Sequence, residues 1–126
     1  MTNVFDAAHF DAFCPRFHHA VELIGRRWSG AIIRAMLGGA TRFSEICGIV
    51  PGLSDRLLSE RLKELESEGV ITRTVYPETP VRIEYQLTEK GESLAPVIAA
   101  ISNWADGWIP VDSAAEPVAR SESARD

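Results

Sequence analysis

Several features are missing from this sequence, and each absence narrows what it can do. No uninterrupted apolar run in its 126 residues approaches the roughly 18 that a membrane-spanning helix needs. Residues 1–11 hold two acids, no basic residue and no apolar centre, so they lack the pattern of a secretory leader. The cytoplasm is therefore the expected location. Cysteine is scarce: Cys14 and Cys47 alone make neither a disulfide framework nor a zinc pattern. Of the three histidines, His18 and His19 are adjacent and point to different faces of a helix, so no metal site is expected. No Ser-His-Asp grouping, phosphate loop or paired-carboxylate pocket is present, so neither an enzyme nor a cofactor is expected.

An excess of positive charge is also absent. The formal charge is −5, with 13 basic and 18 acidic residues, which at first sight argues against nucleic acid. The distribution alters that reading. Between Arg16 and Lys90, 11 basic residues face 10 acidic ones, and the remaining acid excess lies in the flanks. The centre of the chain is near balance, and a DNA-binding face there requires its cations to be grouped in space.

The remaining content is that of one globular domain, 45% hydrophobic and 25% charged. Residues 1–13 read as an N-terminal arm. Cys14-Pro15 opens a helix that ends at Gly25, with Phe17, Ala20, Val21 and Ile24 at helical spacing. A second helix is expected over 28–37, with Ser29 as its cap and Gly38-Gly39 as its stop. A third, short one is expected over 43–50. Pro51-Gly52 is a turn. Ser54 then caps the clearest helix in the chain, residues 54–68, where Leu58, Leu62 and Leu65 recur along one side. After Gly69 the period becomes two. Residues 70–76 and 82–87 read as strands of a hairpin around the turn at 77–80, so that the wing spans 70–87. Thr88 caps a last helix over 88–108, kinked at Pro96, with Leu94, Val97, Ile98, Ile101, Trp104 and Trp108 in a stripe. Residues 110–126 are rich in Ala, Ser, Glu and Pro and read as a disordered tail.

A short helix, a tight turn, a longer helix and then a hairpin is the order of a winged helix-turn-helix. The expected fold is mainly α with a β-hairpin wing, in a domain spanning 14–109. The apolar stripe of the last helix exceeds what one small domain covers, which points to dimerisation through terminal helices.

The residues also resemble a known family. Cys14-Pro15, Glu22-Leu23-Ile24-Gly25 followed by Trp28, and Arg42-Phe43-Ser44-Glu45-Ile46 match in order. So do Pro51-Gly52-Leu53-Ser54, the run from Leu58 to Glu66, Gly69-Val70-Ile71-Thr72-Arg73 and Val81 to Thr88. Over residues 14–108 the chain resembles the HxlR-type regulators, a winged-helix group related to the MarR regulators. That resemblance implies a dimer of winged domains clasped by terminal helices. It also implies an oxidant or electrophile response, since some relatives sense such compounds through a cysteine equivalent to Cys14. Arg26 and Arg27 depart from the family, which has glycine and lysine there.

The candidate DNA contacts follow from the 54–68 helix. Its leucines must face the core, which leaves Ser54, Arg56, Ser59 and Lys63 for the major groove. Arg56 suits guanine, Ser59 a base edge or phosphate, and Lys63 a phosphate. Arg73 and Arg82 sit on the wing, where a basic side chain enters the minor groove. Arg42 and Ser44 stand at the start of the third helix, facing phosphate. The expected partner is double-stranded DNA with a palindromic operator, bound by a homodimer that represses a gene. Cys14, at a helix N-terminus, is the redox-sensing candidate; a small side chain at the dimer interface is the competing reading. A small-molecule effector near Trp28 and Trp104 is a further possibility, and a protein-interaction winged helix without DNA binding is the alternative function.

Overall fold

The computed structural model describes residues 10–111. The expected arm over 1–13 and tail over 110–126 lie largely outside them. Six helices and one hairpin follow in the order α1 (Pro15–Gly25), α2 (Ser29–Leu37), α3 (Phe43–Ile49), α4 (Asp55–Ser67), β1 (Ile71–Tyr76), β2 (Arg82–Leu87), α5 (Glu89–Glu92) and α6 (Ala95–Trp108). The strands pair antiparallel, with Ile71 opposite Leu87 and Tyr76 opposite Arg82.

The core sits where α2, α3, α4 and the base of the hairpin meet. Ile32 and Ile33 of α2, Ile46 of α3, Leu58 and Leu65 of α4 and Ile71 of β1 are buried there. Burial of each such side chain contributes about 1.5–3 kcal/mol, which fixes the rotation of α4 and hence its free face. Ser54 begins α4 as expected, its Oγ accepting the Leu57 N–H at 3.1 Å. Gly52 and Gly69, at φ 85° and 79°, take the left-handed turns on either side of α4, where a side chain would be strained. The wing is tied back by two backbone bonds. The Tyr85 N–H donates to the Thr41 carbonyl at 2.7 Å, and the Thr88 N–H to the Val70 carbonyl at 3.0 Å.

Two expectations need correction. Ser29 does not cap α2. Trp28 holds the N-cap position at φ 77°, with no side-chain cap bond, and Ser29 is buried in the first turn. The short link from Gly25 forces this reversal, and packing of the Trp28 indole against the core offsets the strain. The last helix is two helices, not one kinked helix. Pro96 has no N–H and its ring clashes with the carbonyl four residues back, so α5 stops and α6 restarts with Pro96 in its first turn. Of the α1 stripe, Ile24 is half-buried against the core. Phe17 and Val21 are exposed, and α1 has no buried residue.

Candidate nucleic-acid interface

The exposed side of α4 carries Arg56, Ser59, Glu60 and Lys63, as its leucine spacing requires. Their surroundings differ. The Arg56 guanidinium lies 3.0 Å from the Glu60 carboxylate one turn on, so it is an ion-paired side chain before any DNA arrives. Ser54 is half-buried and its oxygen caps the helix, so its first role is to start α4. Ser59 and Lys63 line a groove of about 260 Å³ together with Arg73 of β1, Tyr85 of β2 and Glu66. The wing thus lies beside the exposed face of α4 and joins three of the expected contact residues. Among the described residues, neither Lys63 nor Arg73 has an ion-pair partner.

Arg42, Ser44 and Arg82 meet in a second groove, of about 550 Å³, between the start of α3 and the wing turn. Here Glu45 accepts the backbone N–H groups of Thr41 and Arg42, at 2.9 and 3.1 Å. Those two bonds hold its carboxyl below the usual carboxylate range and brace the entry to α3. Arg82 is not the free wing cation expected from its position. Its guanidinium contacts Glu78 at 2.9 Å, also pairs with Glu84, and lies 3.9 Å from the centre of the Tyr76 ring. The hydrogen bond that it donates to Glu78 is the main reason its proton is held even more firmly than in an ordinary arginine.

Tyr85 and Glu66 were missed as groove residues. Tyr85 is half-buried in β2, where it packs against the core and borders the groove, which strand alternation alone does not reveal. Arg61 of α4 is internal: its Nε donates to the Arg27 carbonyl at 2.9 Å, and Nη1 lies 3.3 Å from Glu64.

The two cysteines differ sharply. Cys14 is exposed at the N-cap of α1, and its sulfur accepts the Phe17 N–H at 3.4 Å. That bond, followed by the nearby Arg16, lowers its pKa. Cys47 is half-buried on α3, where desolvation and the Asp55 carboxylate, 3.5 Å away, raise its pKa. Trp28 lines an apolar groove with Ala31, Ile49 and Val50, but Trp104 does not reach it and stands exposed on α6. Among the described residues, no group of His, Cys, Asp and Glu is arranged to hold a metal ion. Nor is any described helix long and apolar enough to cross a membrane.

The sequence profile of the HxlR-like helix-turn-helix proteins matches residues 23–113, which span α4, the hairpin and α6. The chain belongs to that family. Members of this family are transcriptional regulators that bind DNA through the helix-turn-helix, and this chain is one of them. Among its relatives, the uncharacterized HTH-type transcriptional regulator YvaP of Bacillus subtilis is 58% identical over 96 residues, covering 76% of this chain and 89% of YvaP. YodB, an HTH-type transcriptional regulator of the same organism, is 45% identical over 96 residues, covering 76% of this chain and 86% of YodB. The reduced form of YodB superposes with a TM-score of 0.69 over 78% of this chain and 96% of its own. Structures of YodB also exist in diamide-treated and quinone-bound forms. The redox regulator HypR in its oxidized form is 35% identical with a TM-score of 0.71, over 78% of this chain and all of the HypR chain, that is 100%.

Proposed function

We propose that this family member is a homodimeric repressor that binds a palindromic operator and lets go when an oxidant or electrophile modifies Cys14. Residues 14–109 serve as the DNA-binding and dimerising unit. It works in the cytoplasm and carries out no catalysis.

One observation carries the DNA-contact assignment: Ser59, Lys63 and Arg73 share an open groove between α4 and the wing, and both cations there lack an ion-pair partner among the described residues. Lys63 and Arg73 bind phosphate, Ser59 reaches a base edge or phosphate, and Arg56 reads a base after leaving Glu60. Arg42 and Ser44 hold a phosphate at the start of α3. Arg82, Ser54 and the wing turn orient this surface. The exposed row on α6, with Ile101, Trp104 and Trp108, supports a second copy as its cover. A two-fold dimer sets two α4 helices about 34 Å apart, one turn of DNA.

The redox part rests on Cys14, whose exposed sulfur sits at a helix N-terminus with a lowered pKa, and on the relatives named as redox-treated or redox regulators. The deciding experiment is selection of bound DNA from a random pool, followed by a salt series. The expected result is a palindrome with half-sites one turn apart and a steep negative slope of log affinity against log salt. A shallow slope with no enriched site would favour a protein-interaction module instead. For the signal, diamide or a quinone should weaken DNA binding of the wild type and leave Cys14→Ser unaffected. An equal response in the variant would remove Cys14 as the sensor.

A further inference from the structure

We propose that Glu78 is an internal stand-in for a DNA phosphate: its carboxylate holds the wing–α3 groove in the free protein and is displaced by a backbone phosphate on binding. The inference rests on the DNA-contact reading above and adds a residue that lowers affinity.

The contact geometry is the first argument. Arg82 addresses Glu78 at two points, Nη2 to Oε2 at 2.9 Å and Nε to Oε1 at 3.4 Å. A guanidinium fork presents the same two-point face to a phosphate. The place is the second. Around Glu78 the groove of about 550 Å³ is also lined by Arg42 and Ser44, so two cations and a hydroxyl converge on one open space. Both arginines hold the Glu78 carboxyl below its usual range, Arg82 foremost, so the stand-in is charged at neutral pH.

Charge count is the third. Two carboxylates address one guanidinium, and they are not equivalent. The Glu84 side chain is 17% exposed, against 52% for Glu78. Glu84 and the Tyr76 ring keep Arg82 aimed whether or not Glu78 is present. Glu78 stands on the link between the strands, an exposed pair there is weak, and an incoming phosphate would repel it. The site is thus built to hold one exchangeable anion.

The test uses the full chain and the DNA recovered by selection. Glu78→Gln keeps the side chain's size and removes its charge. Binding should tighten about three- to tenfold at low salt, because the phosphate no longer has to displace a competing carboxylate. Glu78→Ala should act in the same direction, so that an effect of the new amide on the turn is distinguishable. Glu92→Gln removes an equal charge on α5, outside the groove, and should change affinity less. Adding Arg82→Gln to Glu78→Gln should cancel the gain. The proposal is overturned if Glu78→Gln and Glu78→Ala bind no tighter, if Glu92→Gln matches them, or if the gain survives loss of Arg82. Failure of the wild type to bind any selected DNA would overturn the underlying DNA reading as well, and is seen in a separate measurement.

Discussion

At the scale of single residues, two thiols in one small domain are tuned in opposite directions. The Phe17 N–H lowers the pKa of Cys14, whereas desolvation and then Asp55 raise that of Cys47. A lowered pKa means a larger thiolate fraction at neutral pH, and the thiolate is the nucleophile. Alkylation followed by peptide mass spectrometry across pH 6–9 should therefore find Cys14 reacting first, its rate levelling off at lower pH than that of Cys47. A faster Cys47 would contradict the assignment. Cys14-Pro15 made this position visible in the sequence, because both residue types mark a helix start. The engagement of Arg56 and Arg82 was not visible. Sequence alone does not say whether an acid four positions away turns toward its arginine, and in both cases it does.

At the scale of elements, α4 was legible because its leucines, its Ser54 cap and its flanking glycines all agree. Replacing Ser54 with Ala should cost about 1 kcal/mol of stability through the lost cap, measured by urea denaturation. The helix after the wing was less legible. A stripe of apolar residues runs through it, but Pro96 and a close approach at Gly91 divide it. A Cβ added at Gly91 would lie 2.2 Å from the Val70 carbonyl oxygen, backbone that cannot swing aside. Gly91→Ala should therefore destabilise the domain by about 1–3 kcal/mol. An unchanged urea midpoint would show that the α5–β1 packing is looser than this. The misreading of Ser29 has a related cause: the turn before α2 is set by Trp28 in a left-handed conformation that residue preferences argue against.

At the scale of the whole molecule, the winged helix-turn-helix order was readable from periodicity, whereas the direction of each apolar stripe was not. Spacing says which residues share a side, and only packing says whether that side is covered. Phe17, Ile101, Trp104 and Trp108 are exposed on a single chain. With a second copy as their cover, Ile101→Glu or Trp104→Glu should convert a dimer to monomer in sedimentation velocity. DNA affinity should fall with it, while α4 and the wing stay folded by circular dichroism. A dimer that survives both changes would place the interface elsewhere. One further tie bears on how such a molecule responds to a signal. Arg61 fastens the middle of α4 to the Arg27 carbonyl, while Arg26 and His19 reach Glu64 and Glu68 on the same helix. The helix that Cys14 caps thus meets the end of α4 directly through His19, and the Arg26-Arg27 link that follows it holds α4 through Glu64 and Arg61. On the proposed Cys14 mechanism, a change at the start of α1 would reach α4 through these ties, and in a dimer a small tilt of α4 would alter the span between two half-sites.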